Sequence, residues 1–229
     1  MLEASLAPPL LSRAFSWEND GSWISALTLA LTIALELWCL RAVLELSARR
    51  PWLYAQAVAL NLLNNCLLGP LAYEFVQRFL SPPLPPLQRA ISTCLVLLGH
   101  AVGYYAAHRL MHTRAMYWIH TFHHKFHMVI PSAANAVSLA EFTIAYMAPF
   151  VLGCALLQPD RASLFMAVSF ISLNNLLIHT PKLEQLSTLL PWWAVSTADH
   201  ANHHRKQTTH YAAPTISVDR LLAAVFDKN

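Results

Sequence analysis

The sequence predicts an all-α fold, an integral membrane helical bundle of four or five membrane helices with a cytosolic, histidine-rich cap that holds two metals. Three observations carry this expectation. Hydrophobic residues make up 56% of the 229 and charged residues 12%, about half the roughly 25% charged found in ordinary soluble domains. Five apolar stretches, residues 24–46, 52–80, 90–107, 132–157 and 162–178, approach or exceed the roughly 20 residues a helix needs to cross the hydrocarbon core. All twelve histidines lie between His100 and His210, eight of them in three tight groups.

Taken in order, the first twenty residues hold Glu3, Glu18 and Asp20 against one basic residue, Arg13, a balance unlike a cleavable signal peptide. The first apolar stretch is followed at once by Arg49, Arg50 and Pro51. That pattern predicts a retained span with a short basic turn on the cytoplasmic side. A second span returns to the far side at residues 81–86, a proline-rich connector that is not helical throughout. The third comes back with His108, Arg109 and His112 at its cytoplasmic end, followed by Arg114, Lys125 and the second histidine group. From Ser132 the chain goes out and turns at residues 158–161. It then returns through the shortest stretch, which spans with little tilt or packs partly inserted, to His179 and Lys182. The third group follows in a polar tail with Arg205 and Lys206. Hydropathy and charge alone therefore gather every histidine group at one membrane surface. The division expected is residues 1–89, membrane helices and connector, and residues 90–229, the histidine-bearing part, joined as one structural unit.

Polar residues inside apolar runs are costly unless paired. Glu36, Asn61, Asn64 and Asn65 read as interhelical hydrogen bonders or, second, as tunnel-lining groups. Asn174 and Asn175 stand closer to the metal face because they precede His179 by one to two turns. Cys39, Cys66, Cys94 and Cys154 are dispersed singly, which implies no disulfide framework. The net charge of +3 arises from basic residues beside helix ends, as orientation and contact with anionic lipid require. Nucleic acid binding is not indicated.

In spacing the groups read H-x-x-x-H at His108 and His112, H-x-x-H-H at His120, His123 and His124, and H-x-x-H-H at His200, His203 and His204. Offsets of three and four bring side chains to one helical face. Neutral imidazole suits iron, zinc and copper, and one ion uses about four to six ligands, so eight or nine histidines imply two metals.

These ordered boxes, with the lone His179 between the second and third, resemble the fatty acid hydroxylase/sterol desaturase superfamily of membrane di-metal oxygenases. The likeness covers about residues 95–226 and extends to Tyr105, Arg109, Pro131, Glu141, Tyr211, Asp219, Arg220 and Leu221. It departs at Ala101, where many members have aspartate, at Ala212, where glycine is usual, and at His210, where asparagine is common. The resemblance implies His108, His112, His120, His123, His124, His200, His203 and His204 as metal ligands, and His179 as a ninth, although Leu183 stands where its box would have a second histidine. His127 and His210 read as neighbouring or surface groups, and His100 as a helix-packing residue.

Glu141 and Asp199 are candidate acceptors that orient imidazoles through the other ring nitrogen. For Asp199 a helix cap or loop charge is the rival reading. Arg109 pairs with such a carboxylate or with a lipid headgroup, and Asn175 supports the site from its helix. The resemblance further implies two Fe ions, with Zn as the other metal imidazole suits, and O2 as co-substrate. It implies two NAD(P)H-derived electrons from a cytochrome b-type or ferredoxin partner, the chain leaving no room for its own flavin or haem domain. The substrate implied is a lipid, whether fatty acyl, sphingoid, sterol or terpenoid, hydroxylated or desaturated from the bilayer. In a eukaryote the endoplasmic reticulum is the expected home, and residues 226–229 carry no clear retention signal. Two other classes stay open: a non-oxidative metal-dependent lyase, isomerase or hydrolase, and a metal transporter or sensor, against which the one-sided clustering argues.

Overall fold

A computed structural model describes residues 9–226; Glu3 and residues 227–229, on which the leader and retention-signal readings draw, lie outside the described residues. The chain is helical, and among the described residues no strand forms beyond one isolated bridge between Ala194 and Ile216. Four helices are long and apolar enough to cross a membrane: Asp20–Trp38, Pro86–Met111, Leu139–Leu157 and Arg161–Ile178.

After a short α1 (Leu10–Ala14), the side chain of Asn19 accepts the Gly21 N–H at 2.9 Å and so starts α2 (Asp20–Trp38). The expected first span, to residue 46, is broken at Cys39, and Leu40–Arg49 forms a separate helix, α3. From Glu36 onward charges recur at Arg41 and Glu45, leaving only a narrow apolar stripe in which Val43 and Leu46 are buried. Pro51 occupies the first turn of α4 (Pro51–Leu62), where its missing N–H costs nothing. The helix then widens into a π turn over Leu63–Leu68 before α5 (Gly69–Val76). This second stretch is helical through Val76, but with Asn61, Asn64 and Asn65 along it, it is not among the four apolar spans.

The third span is α6 (Pro86–Met111). The fourth stretch starts later than expected. Residues 131–138 form a buried segment that holds one 3-10 turn, Pro131–Ala133, and no α-helix, and α8 (Leu139–Glu141) begins only where Ser138 caps the Glu141 N–H at 3.1 Å. A second π turn, Phe142–Met147, leads into α9 (Ala148–Leu157). Both π turns end two residues before a proline, Pro70 and Pro149. Proline donates no hydrogen bond and crowds the carbonyl four residues back, and one widened turn relieves both problems. Asp160 caps α10 (Arg161–Ile178), accepting the Ser163 N–H at 2.8 Å, and its 18 residues suffice to span. Close approach sets two helix contacts. A Cβ on Gly21 would lie 2.7 Å from that of Tyr73, and one on Gly103 would lie 2.6 Å from that of Pro149.

The buried segment explains the membrane asparagines. Asn61 donates to the Ser132 carbonyl at 3.0 Å, and Asn64 to those of Asn135 and Val137 at 2.7 and 3.0 Å. Asn175 donates to the Ala134 carbonyl at 3.0 Å, and the Ser132 N–H donates to Glu36 at 3.3 Å. Irregular backbone among membrane helices survives only where such groups satisfy it. These side chains thus bridge helix to loop rather than helix to helix.

The bundle has two unlike ends. At one, Arg161 pairs with Asp20 at 2.7 Å, Arg89 with Asp160 at 3.0 Å and Arg13 with Glu74 at 3.1 Å. At the other lie α7 (Tyr117–His120), the turn His123–Lys125, α11 (Thr197–Lys206) and α12 (Val218–Phe226), where Arg50 donates to the Lys125 carbonyl at 3.4 Å. All three histidine boxes and His179 are at this second end.

Candidate metal centre

The histidine end is assembled from four separated pieces of chain. The last turn of α6 presents His108, with His112 as its C-cap. Helix α7 and the turn after it supply His120, His123 and His124. His179 is the C-cap of α10. Helix α11 carries His200, His203 and His204, and it begins at Ser196 with a capping box completed by Asp199.

These nine side chains converge into two groups. His108, His112, His120, His124 and His203 form one, and His123, His179, His200 and His204 the other; within each, one potential ligand nitrogen per residue lies within 4.8 Å of all the others. All are buried except His112, which is half-buried. Sequence spacing assigns no partition between the groups. The adjacent pairs His123/His124 and His203/His204 point neighbouring imidazoles into different groups, because one residue turns a side chain by about a hundred degrees on a helix.

Proton positions decide what the first group can hold. The Nδ1 of His108 lies 2.7 Å from the Tyr211 carbonyl, and that of His203 lies 2.8 Å from the Thr209 carbonyl. A carbonyl only accepts, so each Nδ1 carries the proton and each Nε2 a lone pair. His120 Nδ1 donates to Glu141 at 2.7 Å. Yet the Nε2 atoms of His108 and His120 face each other at 2.8 Å, and the Nε2 of His203 is buried without a hydrogen-bond partner. Lone pairs brought together in this way require a cation between them. Nitrogens bound to one metal at about 2.1 Å and at right angles to each other are about 3.0 Å apart. The Nε2 contacts here are 2.8, 3.3 and 3.1 Å in the first group and 2.9 and 3.1 Å in the second. The donor set therefore fits a metal ion in each group.

Electrostatics favours the neutral, metal-binding form of these rings. Burial, with the neighbouring His203 and His120, pushes His112 down to about 3. Burial also takes His179 down to about 4 against an opposing hydrogen bond to the Asn175 carbonyl, and His203 to about 4. His123, His124, His200 and His204 are lowered by burial and by the imidazoles around them.

The supporting residues divide. Glu141, fully buried, lies 2.7 Å from His120 Nδ1, and its other oxygen has no partner among the described residues. Asp199 does not meet any of the nine imidazoles, which corrects its reading as an orienting acceptor. It accepts the Ser196 N–H at 3.1 Å and a bidentate pair from Arg220 at 2.7 and 2.8 Å, the geometry of a helix cap tied to α12. Arg109 reaches neither carboxylate. It is exposed and donates to the Tyr105 hydroxyl at 2.8 Å. Asn175 orients His179 through its main-chain carbonyl at 2.7 Å while its side chain holds the buried segment. Asn174 turns back onto the Phe170 carbonyl of its own helix. His127 is exposed, His210 lies 3.7 Å from Asp199, and His100 is buried lower in α6, all outside the two groups. Sequence reasoning missed the carbonyls of Tyr211 and Thr209 and the clamp by which Asp219 accepts the Tyr211 and Ala212 N–H groups at 3.1 and 2.6 Å. Main-chain acceptors leave no residue-type signal, although Tyr211 and Asp219 stood among the positions of resemblance.

Compared with known proteins, residues 93–224 match the model of a family described as "Fatty acid hydroxylase", a stretch that contains both histidine groups and Glu141. No solved structure matches the chain.

Proposed function

The chain belongs to the fatty acid hydroxylase family, and from that premise we propose that it is a membrane-bound di-iron oxygenase that hydroxylates or desaturates an unactivated C–H position of a lipid. The observation that carries the reading is the pairing of unprotonated His108 and His120 nitrogens at 2.8 Å within a buried five-histidine group, beside a second group of four. One iron is assigned to His108, His112, His120, His124 and His203, the other to His123, His179, His200 and His204. Two irons in this setting supply reductive activation of O2, with two external electrons, to a strength that removes hydrogen from an alkyl carbon. The chain's own residues do the rest. Glu141 and the carbonyls of Tyr211, Thr209 and Asn175 hold ring protons on Nδ1 and so aim Nε2 inward. Burial of eight of the nine rings keeps bulk water from the two groups.

A separate cytochrome b-type or ferredoxin carrier, fed by NAD(P)H, delivers electrons at the histidine end. That end carries Arg50, Arg109, Arg114, Lys125, Lys182 and Lys206, none in an ion pair among the described residues. The same basic residues favour a cytosolic orientation, in the endoplasmic reticulum if the cell is eukaryotic.

Purified protein is expected to hold two irons per chain, one for each group. His123→Ala and His203→Ala are each expected to lower bound metal and abolish turnover; unchanged metal content in both overturns the ligand assignment. Anaerobic assay with candidate lipids tests the chemistry, since product formed at full rate without O2 would assign the site to Lewis-acid catalysis instead.

A further inference from the structure

Beneath the histidine groups the helices enclose a cavity of about 110 Å³, several times the 10–15 Å³ or so that one water needs on the same measure. Its walls are chiefly apolar, with Ile24, Phe142, Phe150 and Ile171 among them. Between α2 and α10 an open apolar groove shares Ile24, Thr28 and Ser172 with the cavity, so the cavity adjoins a groove between two helices long and apolar enough to cross a membrane.

Two cavity-lining side chains have polar atoms that no other described residue uses. Asn64 is 1% exposed. Both hydrogens of its amide are committed to the Asn135 and Val137 carbonyls, which fixes its orientation and leaves Oδ1 as a buried acceptor without a donor. His100 is 3% exposed, and its Nδ1 is buried without a hydrogen-bond partner among the described residues. Elsewhere in the bundle the buried polar side chains Asn61, Asn175 and Glu36 are taken up by the segment 131–138. Asn64 Oδ1 and His100 Nδ1 are not taken up in this way, and both residues line one cavity; other buried polar atoms without a partner among the described residues, such as Ser92 Oγ and Glu141 Oε2, belong to residues that do not line it. An orphaned acceptor calls for a donor, and a neutral imidazole offers one donor and one acceptor. A hydroxyl meets both needs; a ketone, an ether or a plain hydrocarbon leaves Asn64 unsatisfied.

We infer that this cavity is a binding site for a lipid alcohol, whose hydroxyl is received by His100 and Asn64. The inference rests on the oxygenase reading for its consequence: the bound lipid is the substrate and its hydroxyl sets the position of attack. His100 precedes His108 by eight residues of α6, about 12 Å along the axis at roughly 1.5 Å per residue. The position of attack is therefore set by a hydroxyl held about 12 Å along the helix from the first histidine box. Departure from the family pattern falls beside it, since Ala101 is the neighbour of His100 in the helix.

Binding, not turnover, tests this. Metal-loaded protein in nanodiscs, without reductant, is titrated with a long-chain secondary alcohol, the ketone of the same skeleton and the corresponding alkane. The alcohol is expected to bind at least about tenfold more tightly than either of the others. His100→Leu is expected to erase most of that preference while leaving thermal stability unchanged or raised, because the Nδ1 it removes has no hydrogen-bond partner among the described residues. Ser172→Trp, at the wall the groove shares with the cavity, is expected to block all three ligands. Equal affinity for the three ligands in the unaltered protein overturns the inference, as does a preference that survives in His100→Leu; the first result stands even if the variant does not fold. Turnover of lipids with no hydroxyl preference leaves the oxygenase reading intact and overturns only the alcohol site, whereas hydroxyl-selective binding without O2-dependent turnover does the reverse.

Discussion

Among the described residues Glu141 is the one acid paired with an imidazole of the two histidine groups, 2.7 Å from His120 Nδ1 and fully buried. Such a carboxylate fixes the tautomer and raises the basicity of the ring, and loss of this kind of partner costs about 10–100-fold in metal affinity. Glu141→Ala is expected to lower affinity by that factor in a chelator competition. Glu141→Gln, which still accepts the ring proton, is expected to lose less; equal retention in both would assign Glu141 to packing alone. The histidines also set a pH dependence. His179 and His203 are depressed to about 4 from an ordinary value near 6.5. A depressed histidine binds protons more readily in the unfolded chain than in the folded one, so its stabilisation is complete above about pH 6.5 and is lost as pH falls toward 4. Melting of metal-free protein is expected to shift to lower temperature between pH 7 and pH 5; a midpoint flat over that range would contradict the neutral-ring assignment.

Helix α11 carries three of the nine histidines in ten residues, and its geometry rests on its first turn. Asp199 joins the capping box to Arg220 of α12, so Asp199→Ala is expected to cost about 1–2 kcal/mol for the cap. It should also reduce metal occupancy without touching a ligand ring; full occupancy with normal melting would show the cap to be dispensable. The spacing of the boxes made this helix legible in the sequence, and the apolar runs made α6 and α10 legible almost to their ends. The breaks were not. Cys39 interrupts an apolar run with no proline or glycine to mark it. Residues 131–138 are small and apolar enough to read as helix, and what makes them a loop is a set of asparagines and a glutamate from distant helices. The roles of Asn64 and Asn175 depend on that same long-range pairing, which no local pattern records.

Across the whole molecule the two ends differ in how charge is handled. At the end away from the histidines, Arg13, Arg89 and Arg161 are each held by an acid, and the connector joins in where Ser81 donates to the Pro159 carbonyl at 3.0 Å. At the histidine end Arg205 and Arg220 are paired with acids, but Arg50, Arg109, Arg114, Lys125, Lys182 and Lys206 are in no ion pair among the described residues. In sealed vesicles, single cysteines at Pro83 and Gln207, in a chain cleared of its own four, are expected to be labelled by an impermeant reagent from opposite sides. Labelling of both from one side would refute a bundle that crosses the bilayer. The buried segment 131–138 touches the cavity through Asn135, steadies the His179 carrier through Asn175 and grips α7 where Ser138 donates to the Ile119 carbonyl at 2.9 Å. The cavity and the histidine groups thus share one wall, and linkage between ligands of the two would be reciprocal: whatever factor bound metal adds to lipid affinity, bound lipid adds to metal affinity. On the function proposed above, lipid-bound protein is expected to release metal more slowly than lipid-free protein, so that the centre is most secure when its substrate lies beside it; equal release rates would show the shared wall to carry no coupling.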